Sequence, residues 1–215
     1  MEVNMDWVFD LDNTLYRPHK HIWLLTFREM THYFKETLNL PVNLTPEERE
    51  QLKKKWDTVH TLVAYTKEFH LDFDKAVEMT LLSILDEINV ELRPGTDIIK
   101  NLPGNHYVLT NSPEVFAIAL LKKLGLLGAF DGVYGIRKDT LITKPHSEIY
   151  ARVPVGKHVV MIDDTSENLV VPHKLGWTTC WFPIEAQPTD APMPSHTHHR
   201  IHSLANLQDI HIRSS

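Results

Sequence analysis

The stretch Trp7-Val8-Phe9-Asp10-Leu11-Asp12-Asn13-Thr14-Leu15-Tyr16 decides the fold: an apolar run that stops abruptly on acidic and polar side chains. Continuous rather than alternating apolarity marks a strand buried on both faces, as in a parallel sheet. The pattern recurs. His106-Tyr107-Val108-Leu109 stops at Thr110-Asn111-Ser112, and His158-Val159-Val160-Met161-Ile162 stops at Asp163-Asp164-Thr165. Thr178 to Phe182 reads as a further strand, and an edge strand is expected near Arg200 to His202. Helical patterns follow the strands. Pro113 suits a first helical position, Val115, Phe116, Ala119, Leu120 and Leu124 can line one face, and Gly125 is a stop. A second helix is predicted from Asp164 to Leu175, ended by Gly176 and kinked or shortened by Pro172. Such alternation means an α/β fold with an open, parallel, Rossmann-like sheet. Ligands then bind beyond the carboxyl ends of the strands, where the chain reverses order. Every polar cluster named above lies at such an end.

From about Arg17 to Leu92 the chain reads as almost entirely helical. His21 to Leu38 carries Trp23, Leu24, Phe27, Met30 and Phe34 at helical spacing. Thr45-Pro46-Glu47-Glu48 has the form of a capping box with proline in the first turn, opening a helix through Trp56 toward Phe69. Asp72 or Asp74 starts another, containing Val77, Leu81, Leu82 and Leu85, and Arg93-Pro94-Gly95 marks the return to the α/β part. The expected organisation is an α/β core of residues 1–16 and 93–215, with an all-helical cap, 17–92, inserted after the first strand. Residues 187–194 read as a proline-rich loop.

An apolar fraction of 42% with 23% charged residues is ordinary for a globular chain of 215 residues. The formal net charge of −6 argues against coating a nucleic-acid polymer. No apolar run reaches membrane-spanning length, and the N-terminus lacks a signal-peptide pattern. With a single cysteine, Cys180, no internal disulfide can form, and a cytoplasmic setting is expected. The sequence carries no signal of oligomeric state.

The chemistry lies in the strand ends. While the chain stays extended, Asp10 and Asp12 face the same side and reach one bound group. Two close carboxylates repel, so one is protonated or a cation sits beside them. That allows an ionised nucleophile and a carboxyl that gives and takes a proton. Asp163 and Asp164 add further negative charge. Four carboxylates around a phosphate need a hard cation with oxygen ligands, and Mg²⁺ is the natural one. Lys144, just before Pro145, supplies another positive charge. Thr110, Asn111 and the amides opening the next helix offer neutral donors to phosphate oxygens. Taken singly, each feature has a plain reading: a solvated turn, a strand-end cap, a surface lysine or a helix cap. His196, His198, His199 and His202 are read as exposed loop residues rather than a metal site, and Cys180 as a buried, inert thiol.

Asp10-Leu11-Asp12-Asn13-Thr14, Thr110, Lys144 and Asp163-Asp164, in this order, resemble the motifs of the haloacid dehalogenase superfamily phosphatases. The resemblance implies that Asp10 forms an aspartyl-phosphate, while Asp12 protonates the leaving alcohol and then activates water. It also implies that Mg²⁺ is held by Asp10, the Asp12 backbone carbonyl and Asp164, with Asp163 in support, or with those two exchanged. Asn13, Thr14, Thr110, Asn111 and Lys144 are the expected phosphate contacts. Phe9–Tyr16, Asp139–His146, Ile162–Asn168 and Lys174–Thr179 are more closely similar to the pyrimidine 5′-nucleotidase branch, which removes phosphate from nucleoside monophosphates. The chain departs from that branch at Trp56-Asp57, where a Tyr-Gly pair is expected. Tyr16, Trp56, Thr58, His60 and Thr61 are candidate contacts to the substrate, with core packing the plainer reading of Trp56. The resemblance leaves open a sugar-phosphate or phosphoglycolate phosphatase and a phosphomutase. Asp12 argues against a haloacid dehalogenase, whose chemistry protonates no alcohol.

Overall fold

The computed structural model describes residues 5–39, 44–184 and 192–210. Six strands form one parallel sheet: β1 (Met5–Phe9), β4 (Asn105–Pro113), β5 (Gly132–Ile136), β6 (His158–Asp163), β7 (Thr178–Trp181) and β8 (His199–Arg200). Their order across the sheet is β5-β4-β1-β6-β7-β8. The chain leaves β1, builds β4 and β5 on one side, then crosses to build β6 to β8 on the other. The reversal therefore falls at β1, between β4 and β6, which is where such sheets open a crevice at their carboxyl ends.

Side-chain alternation divides the core. Trp7, Phe9, Val108, Val160 and Ile162 pack into one cluster, while Val8, Leu109, Val159 and Met161 pack into a second with Ile149, Tyr150 and Trp181. Both faces of the central strands are thus covered, which explains their unbroken apolarity. Strand β5 was not foreseen, because Gly132 and Gly135 dilute its apolar signal. Gly135 is required where it stands: a Cβ there would lie 2.5 Å from the Ser112 carbonyl oxygen.

Helix α5 (Glu114–Lys123) begins one residue after Pro113, which ends β4. Its buried face is Phe116, Ala117, Leu120 and Leu121; Val115, expected inside, is half exposed because the face is rotated by one residue. The predicted helix after Asp164 is split into a 3₁₀ turn (Ser166–Leu169) and a short α-helix (Val170–Lys174). Pro172 has no N–H to offer the carbonyl of Asn168, which accepts from the Tyr150 hydroxyl instead at 2.7 Å.

Two short antiparallel strands, β2 (Tyr16–Pro18) and β3 (Val90–Leu92), form a ribbon with Tyr16 opposite Leu92. Between them the described residues are helical: α1 (Lys20–His32) running into a π-helical turn (Tyr33–Thr37), α2 (Pro46–Lys55), α3 (Thr61–Phe69) and α4 (Phe73–Val77) with a second π-helical turn (Glu78–Leu82). The capping box at Thr45 and Glu48 is present, and Asp72 caps α4. Phe34 is buried, but Leu24 and Phe27 are exposed and border a cleft instead of joining the core. The side chain of Trp23 and residues 185–191 of the proline-rich loop lie outside the described residues. No described helix is long and apolar enough to cross a membrane.

The single helix expected from Pro46 toward Phe69 is two helices. Asp57 breaks it with φ of +47°, and the chain turns inward. Thr58 becomes buried, its hydroxyl 3.4 Å from that of Thr143, and His146 Nε2 lies 3.0 Å from the Asp57 carbonyl oxygen. The break thus seats the helical insert on the loop that carries Lys144. Its left-handed residue falls on the position where the resemblance expects glycine. Asp57→Ala should therefore lower stability by about 1 kcal/mol, and Asp57→Gly should not. Urea midpoints of the two variants check this; equal losses would contradict it.

Candidate active site

Asp10 follows directly after β1, its N–H bonded to the Ile162 carbonyl at 2.8 Å. Leu11 points into the core, so Asp10 and Asp12 both border the cleft. Asn13 turns the chain with φ of +63°, a conformation asparagine tolerates better than most residues. Leu15 N–H closes the turn on the Leu11 carbonyl at 3.0 Å.

Lys144 is fully buried and donates from Nζ to Asp10 Oδ1 and to Asp163 Oδ2, each at 2.7 Å. Its backbone is held by Asn111, whose Oδ1 accepts from the Lys144 N–H at 2.6 Å and whose Nδ2 donates to the Lys144 carbonyl at 3.2 Å. The Lys144–Pro145 peptide is cis. Asp163 is saturated: besides Lys144 it accepts from Thr165 N–H at 2.9 Å and from Asn168 Nδ2 at 3.0 and 3.2 Å. Asp164 is freer, with one side-chain bond from the Thr165 hydroxyl at 3.2 Å, and it borders the cleft. Its backbone is fixed by Trp181, whose indole donates to the Asp164 carbonyl at 2.8 Å.

The electrostatics are under-compensated. Burial pushes the Asp10 carboxyl well above the ordinary carboxylate range; Lys144 opposes this, and Asp163, Asp164 and Asp12 reinforce it. Burial, then the charge of Asp163, lifts Asp164 to about 7. Burial works against the charge on Lys144, but Asp10 and Asp163 outweigh it and raise the ammonium pKa. Carboxylate oxygens of Asp10, Asp163 and Asp164 lie within 4.8 Å of one another, a set of hard oxygen donors with room for a cation.

Asp12 is held from two sides. Tyr16 donates its hydroxyl to Oδ1, and Ser112 donates its hydroxyl to Oδ2 at 2.9 Å. Burial, then the charge of Asp12, pushes the Tyr16 phenol well above its usual range, so it stays a donor. Tyr16 lines the cleft, where a substrate contact was open to it, and its hydroxyl is engaged by Asp12.

The cleft has a volume of about 720 Å³. Asp10, Asp12, Asn13, Asn111 and Asp164 line its floor. Ile22, Leu24, Phe27, Leu62, Arg49, Lys53 and His60 are among the residues on its helical walls. Burial, then Lys53, lowers the His60 pKa to about 4, so the imidazole is neutral, and its Nδ1 is buried without a partner. Thr61 borders the cleft as well. Three expected contacts sit behind the cleft lining: Thr14 and Thr110, both fully buried, and Lys144. The Thr110 hydroxyl accepts from Ser112 N–H at 3.0 Å. Trp56 is not at the cleft: its indole donates to Glu68 at 2.7 Å, joining α2 to α3 beside a separate open groove. The histidines of the C-terminal segment do not join a metal-ligand group among the described residues; His198 instead takes the Thr179 N–H at 3.0 Å. Ser112 and Asn168 lie in the strand-end cluster and the motif segment named from the sequence, but their bonds to Asp12 and Asp163, and that of Trp181 to Asp164, emerge only with the fold.

A family model described as haloacid dehalogenase-like hydrolase matches residues 8–169. Among solved structures, the chain is similar to a HAD phosphatase from Thermococcus onnurineus at 19% identity, covering 95% of this chain and 96% of that one, with a TM-score of 0.64. CbbY from Rhodobacter sphaeroides in complex with phosphate matches at 19%, covering 94% and 95%, with a TM-score of 0.65. A mutant of CbbY in complex with xylulose-(1,5)bisphosphate matches equally well. The HAD-hydrolase YfnB from Bacillus subtilis, bound to magnesium, matches at 21%, covering 96% and 97%, with a TM-score of 0.54. At these identities the likeness is one of fold.

Lys144→Met should cost about 3–5 kcal/mol, because it leaves Asp10 and Asp163 buried without their cation. Urea unfolding measures this, and a loss below 1 kcal/mol would contradict the pairing. Asp164 gives a pH signature. Its folded pKa of about 7 lies above the unfolded carboxylate value, so the native chain holds the extra proton between the two. In EDTA, stability should therefore fall as pH rises from about 4 to about 7. Asp164→Asn should lack this component, gaining on the order of 1–3 kcal/mol over wild type across that range. Parallel pH profiles for the two proteins would contradict it.

Proposed function

The chain belongs to the haloacid dehalogenase-like hydrolase family, and we propose that it is a Mg²⁺-dependent phosphomonoesterase working through an aspartyl-phosphate on Asp10. The observation that carries this reading is the meeting of Asp10, Asp12 and Asp164 on one cleft, above a lysine that ties Asp10 to Asp163.

The donor set fits the metal. It is all oxygen, it is negatively under-compensated, and Mg²⁺ prefers carboxylates and water. Asp10, Asp164 and the Asp12 backbone carbonyl would hold the ion. Asp163 is the less suitable ligand, since Lys144, Thr165 and Asn168 already occupy its oxygens. When bound, Mg²⁺ supplies charge that offsets the carboxylates and polarises a phosphoryl oxygen.

A carboxylate oxygen of Asp10 attacks phosphorus as the ester P–O bond breaks, and the leaving oxygen takes a proton from Asp12. Asp12, now ionised, takes a proton from water. That water's oxygen attacks phosphorus, the bond to Asp10 breaks, and phosphate leaves. Lys144 holds Asp10 in position throughout, while Asn13 and Asn111, which line the cleft, are the phosphate contacts on this reading, with Thr14 and Thr110 buried behind them.

For the leaving group we favour a nucleoside, a pyrimidine nucleoside above all. Support comes from the nucleotidase-like motifs, from apolar walls suited to a base (Ile22, Leu24, Phe27 and Leu62), and from the neutral His60 beside them. A sugar phosphate is the second reading. Arg49 and Lys53 on the cleft wall favour it, since they suit a second anionic group, and CbbY has been seen with phosphate and with xylulose-(1,5)bisphosphate.

Phosphate release from UMP, CMP, purine monophosphates and sugar phosphates, with Mg²⁺ and with EDTA, decides between them. Turnover should be highest on UMP or CMP and silent in EDTA. Sugar phosphates alone being turned over would replace the first reading with the second. Asp10→Asn should abolish turnover with the fold intact, and Asp12→Asn should lose roughly two to four orders of magnitude. Full activity in either variant would refute the roles.

A further inference from the structure

We propose that Tyr16, together with Ser112, is a positioning residue for Asp12, aiming its carboxyl at the leaving oxygen. The inference rests on the reading of Asp12 as acid and base.

Asp12 is only half-buried and sits at the start of a turn, on a cleft floor shared with Asp10 and Asp164. Those like charges repel it, and nothing in its own backbone fixes the carboxylate's orientation. Two hydroxyls do. Tyr16 donates to Oδ1, and Ser112 donates to Oδ2 at 2.9 Å. They come from different parts of the chain, the start of β2 and the end of β4, so the carboxylate is pinned along two directions at once.

Tyr16 is itself held rigidly. Its side chain is buried, its backbone pairs with Leu92 across the ribbon, and it forms a β-bridge with Asp12. A phenol in that position would lose its hydrogen bond if Asp12 swung away, so the pair holds each other. Ser112 is fixed by its N–H, bonded to the Thr110 hydroxyl at 3.0 Å. Acid–base catalysis depends on the catalytic group lying within hydrogen-bond reach of the moving proton, and small misplacements are costly. Removing one hydroxyl leaves the carboxylate a single tether and a range of rotamers.

Leaving-group dependence tests this. An alcohol leaving group needs the proton of Asp12, whereas p-nitrophenolate leaves without one. Single-turnover rates are measured for wild type, Tyr16→Phe, Ser112→Ala and Asp12→Asn on two esters. One is the best nucleoside or sugar phosphate, and the other is p-nitrophenyl phosphate. Tyr16→Phe should slow phosphoryl transfer from the alcohol ester roughly 10- to 100-fold. It should leave the burst of p-nitrophenol near the wild-type rate, with KM for neither ester raised; the later release of phosphate, which also uses Asp12, slows for both. Ser112→Ala should show the same split and stands in if Tyr16→Phe does not fold. Equal slowing of phosphoryl transfer from both esters, or a raised KM with kcat intact, would assign Tyr16 to packing or substrate contact and overturn the proposal. So would a wild-type rate on both. If Asp12→Asn itself spares the alcohol ester, the acid–base reading has failed and this inference falls with it. If Asp12→Asn shows the split and neither hydroxyl variant does, only the positioning role has failed.

Discussion

Everything in the cleft depends on one buried ammonium. Lys144 Nζ, shut off from solvent, holds Asp10 and Asp163 at 2.7 Å each. These two aspartates end neighbouring strands, β1 and β6, and the lysine comes from the loop after β5 on the far side of the sheet. One charge therefore ties together segments distant in sequence. Burying an ammonium is expensive unless it is paired, and burying two carboxylates is no cheaper. The triad is tolerable only as a unit, which explains why the Lys144 backbone is gripped by Asn111 and Asp163 by Asn168 and Thr165. The single lysine still leaves Asp10, Asp12 and Asp164 facing a common cleft with negative charge to spare. That surplus is the electrostatic opening that a divalent cation would close.

The sheet supplies the place and the helical insert supplies the roof. Because the strand order reverses at β1, the carboxyl ends of β4 and β6 flank it and present Ser112 and Asp164 on either side of Asp12 and Asp10. The insert reaches this crevice through the β2–β3 ribbon, and it touches the lysine loop at the Asp57–Thr58 break. The same break begins α3 and brings His60 to the cleft wall. Floor and wall differ sharply in character: carboxylates below, and apolar and basic side chains above. The floor suits a phosphoryl group and the wall suits what that group is attached to.

Much of this was legible in the amino-acid sequence, for physical reasons. Strands buried on both faces announce themselves as apolar runs, and the polar residues that end them mark the functional edge of the sheet. Asp10, Asp12, Lys144 and Asp163-Asp164 were therefore visible as candidates. What escaped depends on three-dimensional neighbours. Strand β5 is too glycine-rich to stand out, and Gly135 answers to the close approach of the Ser112 carbonyl rather than to strand propensity. The Asp57 break is invisible in a helical pattern that runs well on both sides of it. For Trp56 the sequence offers either packing or a substrate contact, and its indole pairs with Glu68. Tyr16 reaches the cleft as its place after the motif suggests, but the bond from its hydroxyl to Asp12 shows only in the fold. Periodicity tells which face a residue occupies, but not which partner waits there.

The account stands or falls on covalent chemistry at Asp10. The most direct measurement is an acid quench of the protein during turnover of its best phosphate ester with Mg²⁺, followed by peptide mass mapping. The peptide that carries Asp10 should gain the mass of one phosphoryl group. The adduct should be absent in EDTA and in Asp10→Asn. Sustained phosphate release with no adduct on that peptide, or with the adduct on another residue, would contradict the account.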